Sequence, residues 1–99
     1  GVDLVSRHIG EERPQTIADA SLASINYARA NEDDALKYAL GFGRGIDPAD
    51  GKKFVRMYVN EDTVDMGQEG RSALEKLFSM AVERGVLAEL PELDIIQAN

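Results

Sequence analysis

Gly1-Val2-Asp3-Leu4-Val5-Ser6-Arg7-His8-Ile9-Gly10 decides the fold class, because it is the one convincing β-strand in the 99-residue chain. Val2, Leu4 and Ser6 would face one side and Asp3, Val5 and Arg7 the other, the alternation of extended backbone. A lone strand leaves its backbone groups unpaired and needs neighbours. The only other candidate is the weak Leu93-Asp94-Ile95-Ile96 near the C-terminus. The missing strands are therefore expected outside these residues. The chain opens at Gly1 rather than Met, in mid-strand, with neither a basic segment nor an apolar signal core ahead of it, so it is expected to be a segment of a longer protein.

Between those two stretches the pattern is helical. Pro14 suits an early helical position, and over residues 15–30 Ile17, Leu22, Ile25 and Ala28 form a stripe at helical spacing. Asn31 is placed to cap a second helix, with Glu32, Asp33 and Asp34 in its first turn, where they complement the helix dipole. Leu36, Ala39 and Leu40 give its apolar face, and Gly41 to Gly45 should end it. In Asp47-Pro48-Ala49-Asp50, Asp47 is the cap and Pro48 the first helical residue of a third helix reaching about Asn60, with Phe54, Val55, Tyr58 and Val59 at helical spacing. Residues 61–66 read as a connection. From Gly67 or Gln68 a fourth helix carries Leu74, Leu77, Phe78, Ala81 and Val82, and Gly85 is suited to stop it in the left-handed conformation. One strand followed by four helices makes sense as the closing part of an α/β domain whose sheet comes mainly from earlier sequence.

Composition bounds the function. A chain of this length has room for one core, and its 43% hydrophobic and 29% charged residues are those of a globular domain. A net charge of −7 repels phosphate backbones, which argues against nucleic acid as a partner. Apolar runs such as Met80-Ala81-Val82 are far short of the ~20 residues that cross a bilayer, so no membrane partner is expected. With no cysteine there is no disulfide framework or zinc-thiolate site, and cytoplasm is the expected compartment.

No side chain makes a case for catalysis from its neighbours. His8 is the only histidine, and it sits at a strand exit without a defined partner. The acidic groups Glu32-Asp33-Asp34 and Glu61-Asp62 lack the spacing of a calcium loop and read as helix starts. Gly41-Phe42-Gly43-Arg44-Gly45 has no following Lys-Ser or Lys-Thr and reads as a turn rather than a phosphate loop. Gly67-Gln68-Glu69-Gly70 opens a helix whose amides could hold an anion, but Glu69 and Asp65 oppose that. Ser21, Ser24, Ser72 and Ser79 have no local histidine. In Tyr58-Val59-Asn60, Asn60 ends a helix and Thr63 and Asp65 can tie down the next amides, which makes a structured corner. Catalytic, cofactor-binding and metal residues are therefore expected to be none within this chain.

That corner carries a resemblance. Met57-Tyr58-Val59-Asn60-Glu61-Asp62-Thr63-Val64-Asp65-Met66-Gly67-Gln68-Glu69-Gly70-Arg71, followed by a long amphipathic helix ending at Gly85, resembles the C-terminal signature of the menaquinone-biosynthesis enzymes of the futalosine route. Two sister families share it, chorismate dehydratase and 1,4-dihydroxy-6-naphthoate synthase. The opening residues 1–10, the phrase Tyr27-Ala28-Arg29-Ala30-Asn31-Glu32-Asp33-Asp34-Ala35-Leu36, and Tyr58-Val59-Asn60 with Asp65 and Gly67 are more similar to the synthase family.

The resemblance implies a type II periplasmic-binding-protein-like, two-lobed α/β fold. Residues 1–99 would be a single segment, the C-terminal part that completes one lobe, and a small-molecule substrate would lie in the cleft of the full-length protein. It implies lyase-type cleavage of cyclic dehypoxanthinyl futalosine to 1,4-dihydroxy-6-naphthoate and a sugar-derived fragment, with a histidine as base and no metal or organic cofactor. That histidine belongs to sequence ahead of this chain, and His8 does not sit in its motif. The 99 residues alone are expected to be inactive and to form a homodimer through exposed apolar surface. Chorismate dehydratase, a non-catalytic solute-binding protein of the same fold, and a free-standing helical interaction module are the alternatives.

Overall fold

The computed structural model describes residues 2–99 and is mostly helical, with five α-helices among them. These are α1 (Arg13–Ala30), α2 (Glu32–Leu40), α3 (Pro48–Tyr58), the single turn α4 (Glu61–Val64) and α5 (Gly67–Glu83), after a 3-10 turn at Arg7–Ile9. The strand expected at the N-terminus is not formed: residues 2–6 have no regular structure, and no strand occurs among the described residues. The apolar alternation is there, but no second strand takes up the backbone groups, and extended backbone gains nothing without one. Leu93 to Ile96 are likewise irregular.

The chain divides into two compact units, Gly1–Tyr58 with Ile96–Asn99 and Val59–Ile95. In the first unit α2 packs on both α1 and α3. Leu22, Ile25 and Ala28 of α1 are half-buried as their spacing predicts, whereas Ile17 is exposed. Leu36 on α2 is the only buried hydrophobic side chain among the described residues, and it keeps 8% of its surface exposed. The C-terminus returns to α1: the Gln15 amide donates to the Gln97 carbonyl at 2.8 Å, and the Asn99 N–H donates to Asp19 Oδ1 at 2.9 Å.

Local signals at the helix ends are mostly obeyed. Asp47 caps α3, its Oδ1 accepting the Ala49 N–H at 2.9 Å, with Pro48 as first residue. Asn31 is a correction. Its side chain caps nothing on α2 and instead donates to the Tyr27 carbonyl at 2.9 Å, closing the end of α1. Only one residue separates the two helices, so one amide serves one end, and the orphan carbonyls of α1 take it. The expected connection at residues 61–66 contains α4. Asn60 Oδ1 accepts the Asp62 N–H at 3.0 Å while the Asn60 N–H donates to Thr63 Oγ1 at 3.1 Å, a reciprocal cap that pays for a single helical turn.

In the second unit α5 ends as its sequence dictates. The Val86 N–H reaches the Ala81 carbonyl at 2.8 Å and the Gly85 N–H reaches Val82 at 2.9 Å, with Gly85 at φ 70°. This pair of bonds satisfies two of the last carbonyls and requires the left-handed conformation at Gly85. A Cβ there would meet no atom within 4 Å, so only backbone strain opposes a side chain. Gly85→Ala should cost about 1 kcal/mol, read as a lower urea midpoint with an unchanged slope.

Candidate functional site

The residues that carry the resemblance lie from the end of α3 to the start of α5. Asn60 and Thr63 fix α4, and the Asp65 carboxylate accepts the Gly67 N–H at 2.9 Å. Gly67, at φ 61°, turns the chain into α5. At Gly70 the helix passes so close to Met66 that a Cβ would lie 2.7 Å from Met66 Cβ, so the glycine permits the tight entry. The Gly67 amide, one of those considered for an anion, is thus occupied by this chain's own carboxylate. The corner sets the direction of α5. Next to it Arg71 spans to Glu75 Oε1 at 3.4 Å and to the Leu93 carbonyl at 3.4 Å, beside a groove of about 240 Å³ formed with Phe78, Ser79, Leu90 and Pro91.

The most strongly organised polar group was missed in the sequence. Glu32, at the start of α2, accepts two hydrogen bonds from the Arg56 guanidinium of α3, Nε to Oε1 and Nη2 to Oε2, both at 2.7 Å. Lys52 Nζ lies 3.3 Å from the same carboxylate and 3.8 Å from Asp33. The Arg56 guanidinium, helped by Lys52 and opposed by partial desolvation, pulls the Glu32 carboxyl from its ordinary 4.5 down to about 2. The acidic run Glu32-Asp33-Asp34 is therefore more than a helix start, since Glu32 fastens α2 to α3. The spacing of Lys52 and Arg56, one turn apart on one face of α3, was the available signal, but nothing local says which acid they meet.

A depressed carboxyl pKa contributes stability above the unfolded value and loses it as pH falls through the folded one. In urea titrations wild type should exceed Glu32→Gln by a constant margin above about pH 5, and the margin should vanish towards pH 2. A margin independent of pH would contradict this.

The remaining candidates fall where their chemistry is silent. His8 is exposed in the 3-10 turn, its backbone N–H donating to Ser6 Oγ at 3.3 Å. Ser72 accepts from the Gln68 amide at 3.3 Å, and Ser79 donates to the Glu75 carbonyl at 2.9 Å, both bonds within α5. Gly41 to Gly45 form a turn with Arg44 at φ 53° and Gly45 at φ 82°. Among the described residues no group of three or more His, Asp or Glu side chains could hold a metal ion. No helix among them is long and apolar enough to cross a membrane.

Comparison with known proteins gives the class to which this helical segment belongs. Residues 1–83 match the family described as Menaquinone biosynthesis, and the chain belongs to that family. Among its relatives, the 1,4-dihydroxy-6-naphtoate synthase of Thermus thermophilus is 32% identical over 91 residues, 92% of this chain and 34% of that protein. The 1,4-dihydroxy-6-naphtoate synthase of Streptomyces coelicolor is 29% identical over 90 residues, 91% of this chain and 32% of that protein. The chain thus spans about a third of the length of the curated relatives it matches. No solved structure matches it.

Proposed function

We propose that this chain is part of a longer 1,4-dihydroxy-6-naphthoate synthase, a lyase that converts cyclic dehypoxanthinyl futalosine to 1,4-dihydroxy-6-naphthoate in menaquinone biosynthesis. The observation that carries the reading is that two proteins of that name match more than nine-tenths of the chain. The likeness noted in the sequence adds a two-lobed, periplasmic-binding-protein-like α/β fold, in which residues 2–6 pair with a sheet supplied by the rest of the polypeptide. The substrate lies in the cleft between lobes, and the base is a histidine outside this chain. The role of the present residues is to hold one lobe in shape: the Asn60 to Gly67 corner aims α5, and the Glu32–Arg56 pair fixes α2 against α3. Positioning of this kind is a large share of catalysis where the reacting groups come from elsewhere.

The test is genetic. The full gene product, expressed in a Streptomyces coelicolor strain deleted for its own 1,4-dihydroxy-6-naphthoate synthase, should restore menaquinone synthesis. Failure to restore it, with the protein present and folded, would sink the assignment.

A further inference from the structure

The molecule exposes 8332 Å² of surface. Compact bodies with the lengths of the two units, even touching nowhere, would together expose about 6,600 Å², which leaves an excess of roughly 1,700 Å². The excess does not depend on how the units are arranged, because complete separation is already the most exposed case. It is about twice the ~800 Å² that one partner gives to a standard interface.

The apolar part of that excess is organised. On α2 and the turn after it Tyr38 and Phe42 stand one helical turn apart, rings edge to face at 5.4 Å, with 75% and 73% of their surface exposed. On α3 Phe54 and Tyr58, also one turn apart, pair with ring centroids at 4.9 Å and planes tilted by 43°. On α5 Leu77 and Met80 are exposed at helical spacing, extending the apolar arc beyond the half-buried Leu74, Phe78 and Ala81. Single exposed apolar residues are ordinary, but aromatic pairs and helical stripes repeated on three helices are core in composition.

We infer that these faces, on each unit by itself, are interior surface of the longer polypeptide, and that their occupant is an apolar layer contributed by its other two thirds rather than a second copy of this chain. The inference rests on the reading that the chain is part of a longer protein. Two observations favour the intramolecular occupant: the relatives are about three times as long as the matched region, and exposed apolar faces are carried by both units.

Hydroxyl-radical footprinting of the unmodified full gene product, read by mass spectrometry, tests this without any substitution. Tyr38, Phe42, Phe54 and Met80 should be oxidised at least tenfold more slowly in the folded protein than in urea, at every protein concentration. Rates within threefold of the unfolded ones would overturn the inference. Protection that appears only as concentration rises would also overturn it and make a second copy the occupant. Product formation assayed on the same preparation separates the two claims, since protection without product removes the proposed activity alone, and product without protection removes this inference alone.

Discussion

Leu36→Ala is expected to remove about 3 kcal/mol from the stability of the 99-residue chain. Leu36 is 8% exposed and sits on α2, the helix that packs on both α1 and α3. With no other buried apolar side chain among the described residues, the cavity it leaves cannot be filled from a surrounding core. A chain of this length has a stability of roughly 5 kcal/mol at the low end of the usual range, so the loss is more than half of it. Urea unfolding followed by far-UV circular dichroism, suited to a chain without tryptophan, should show the cooperative transition of the first unit moved to very low denaturant. A midpoint shifted by less than a third of that would show that Leu36 is not the centre of the packing.

Gly51→Leu should be nearly as damaging, by overfilling the same seam. Gly51 is buried on α3, and a Cβ there would lie 2.5 Å from Leu40 Cδ2 and 3.6 Å from Ile46 Cγ2. One methyl group displaces the end of the Leu40 side chain. A leucine has to push α2 and α3 apart, which costs about 2–3 kcal/mol and also pulls Arg56 away from Glu32. Gly51→Ala separates the two steps, because Leu40 can yield by rotation and the helix gains from losing an internal glycine. The alanine variant should therefore stay within about 1 kcal/mol of wild type while the leucine variant does not. Equal and large losses for both would mean that the glycine is needed for its backbone rather than for space.

The helices were legible in the sequence because their signals are local. Pro48 after Asp47, the stripe of α5 and Gly85 at its end each act within a turn of the residue concerned, and the structure uses all three. Asn31 misled because two helix ends compete for one amide, while at Asn60 and Thr63 the corner was legible but the single helical turn it closes was not. The strand over residues 2–6 shows the opposite limit, since the alternation is written in the sequence while the partner that would make it a strand is not. The Glu32–Arg56 pair was illegible for a related reason: residues 24 positions apart meet only once α2 and α3 have packed.

The most direct test incubates the purified full gene product with cyclic dehypoxanthinyl futalosine and follows 1,4-dihydroxy-6-naphthoate by mass spectrometry, with the 99-residue chain alone in parallel. Product from the full protein and none from the chain alone is the predicted result. Product from the 99 residues by themselves, or none from the full protein, would contradict the account.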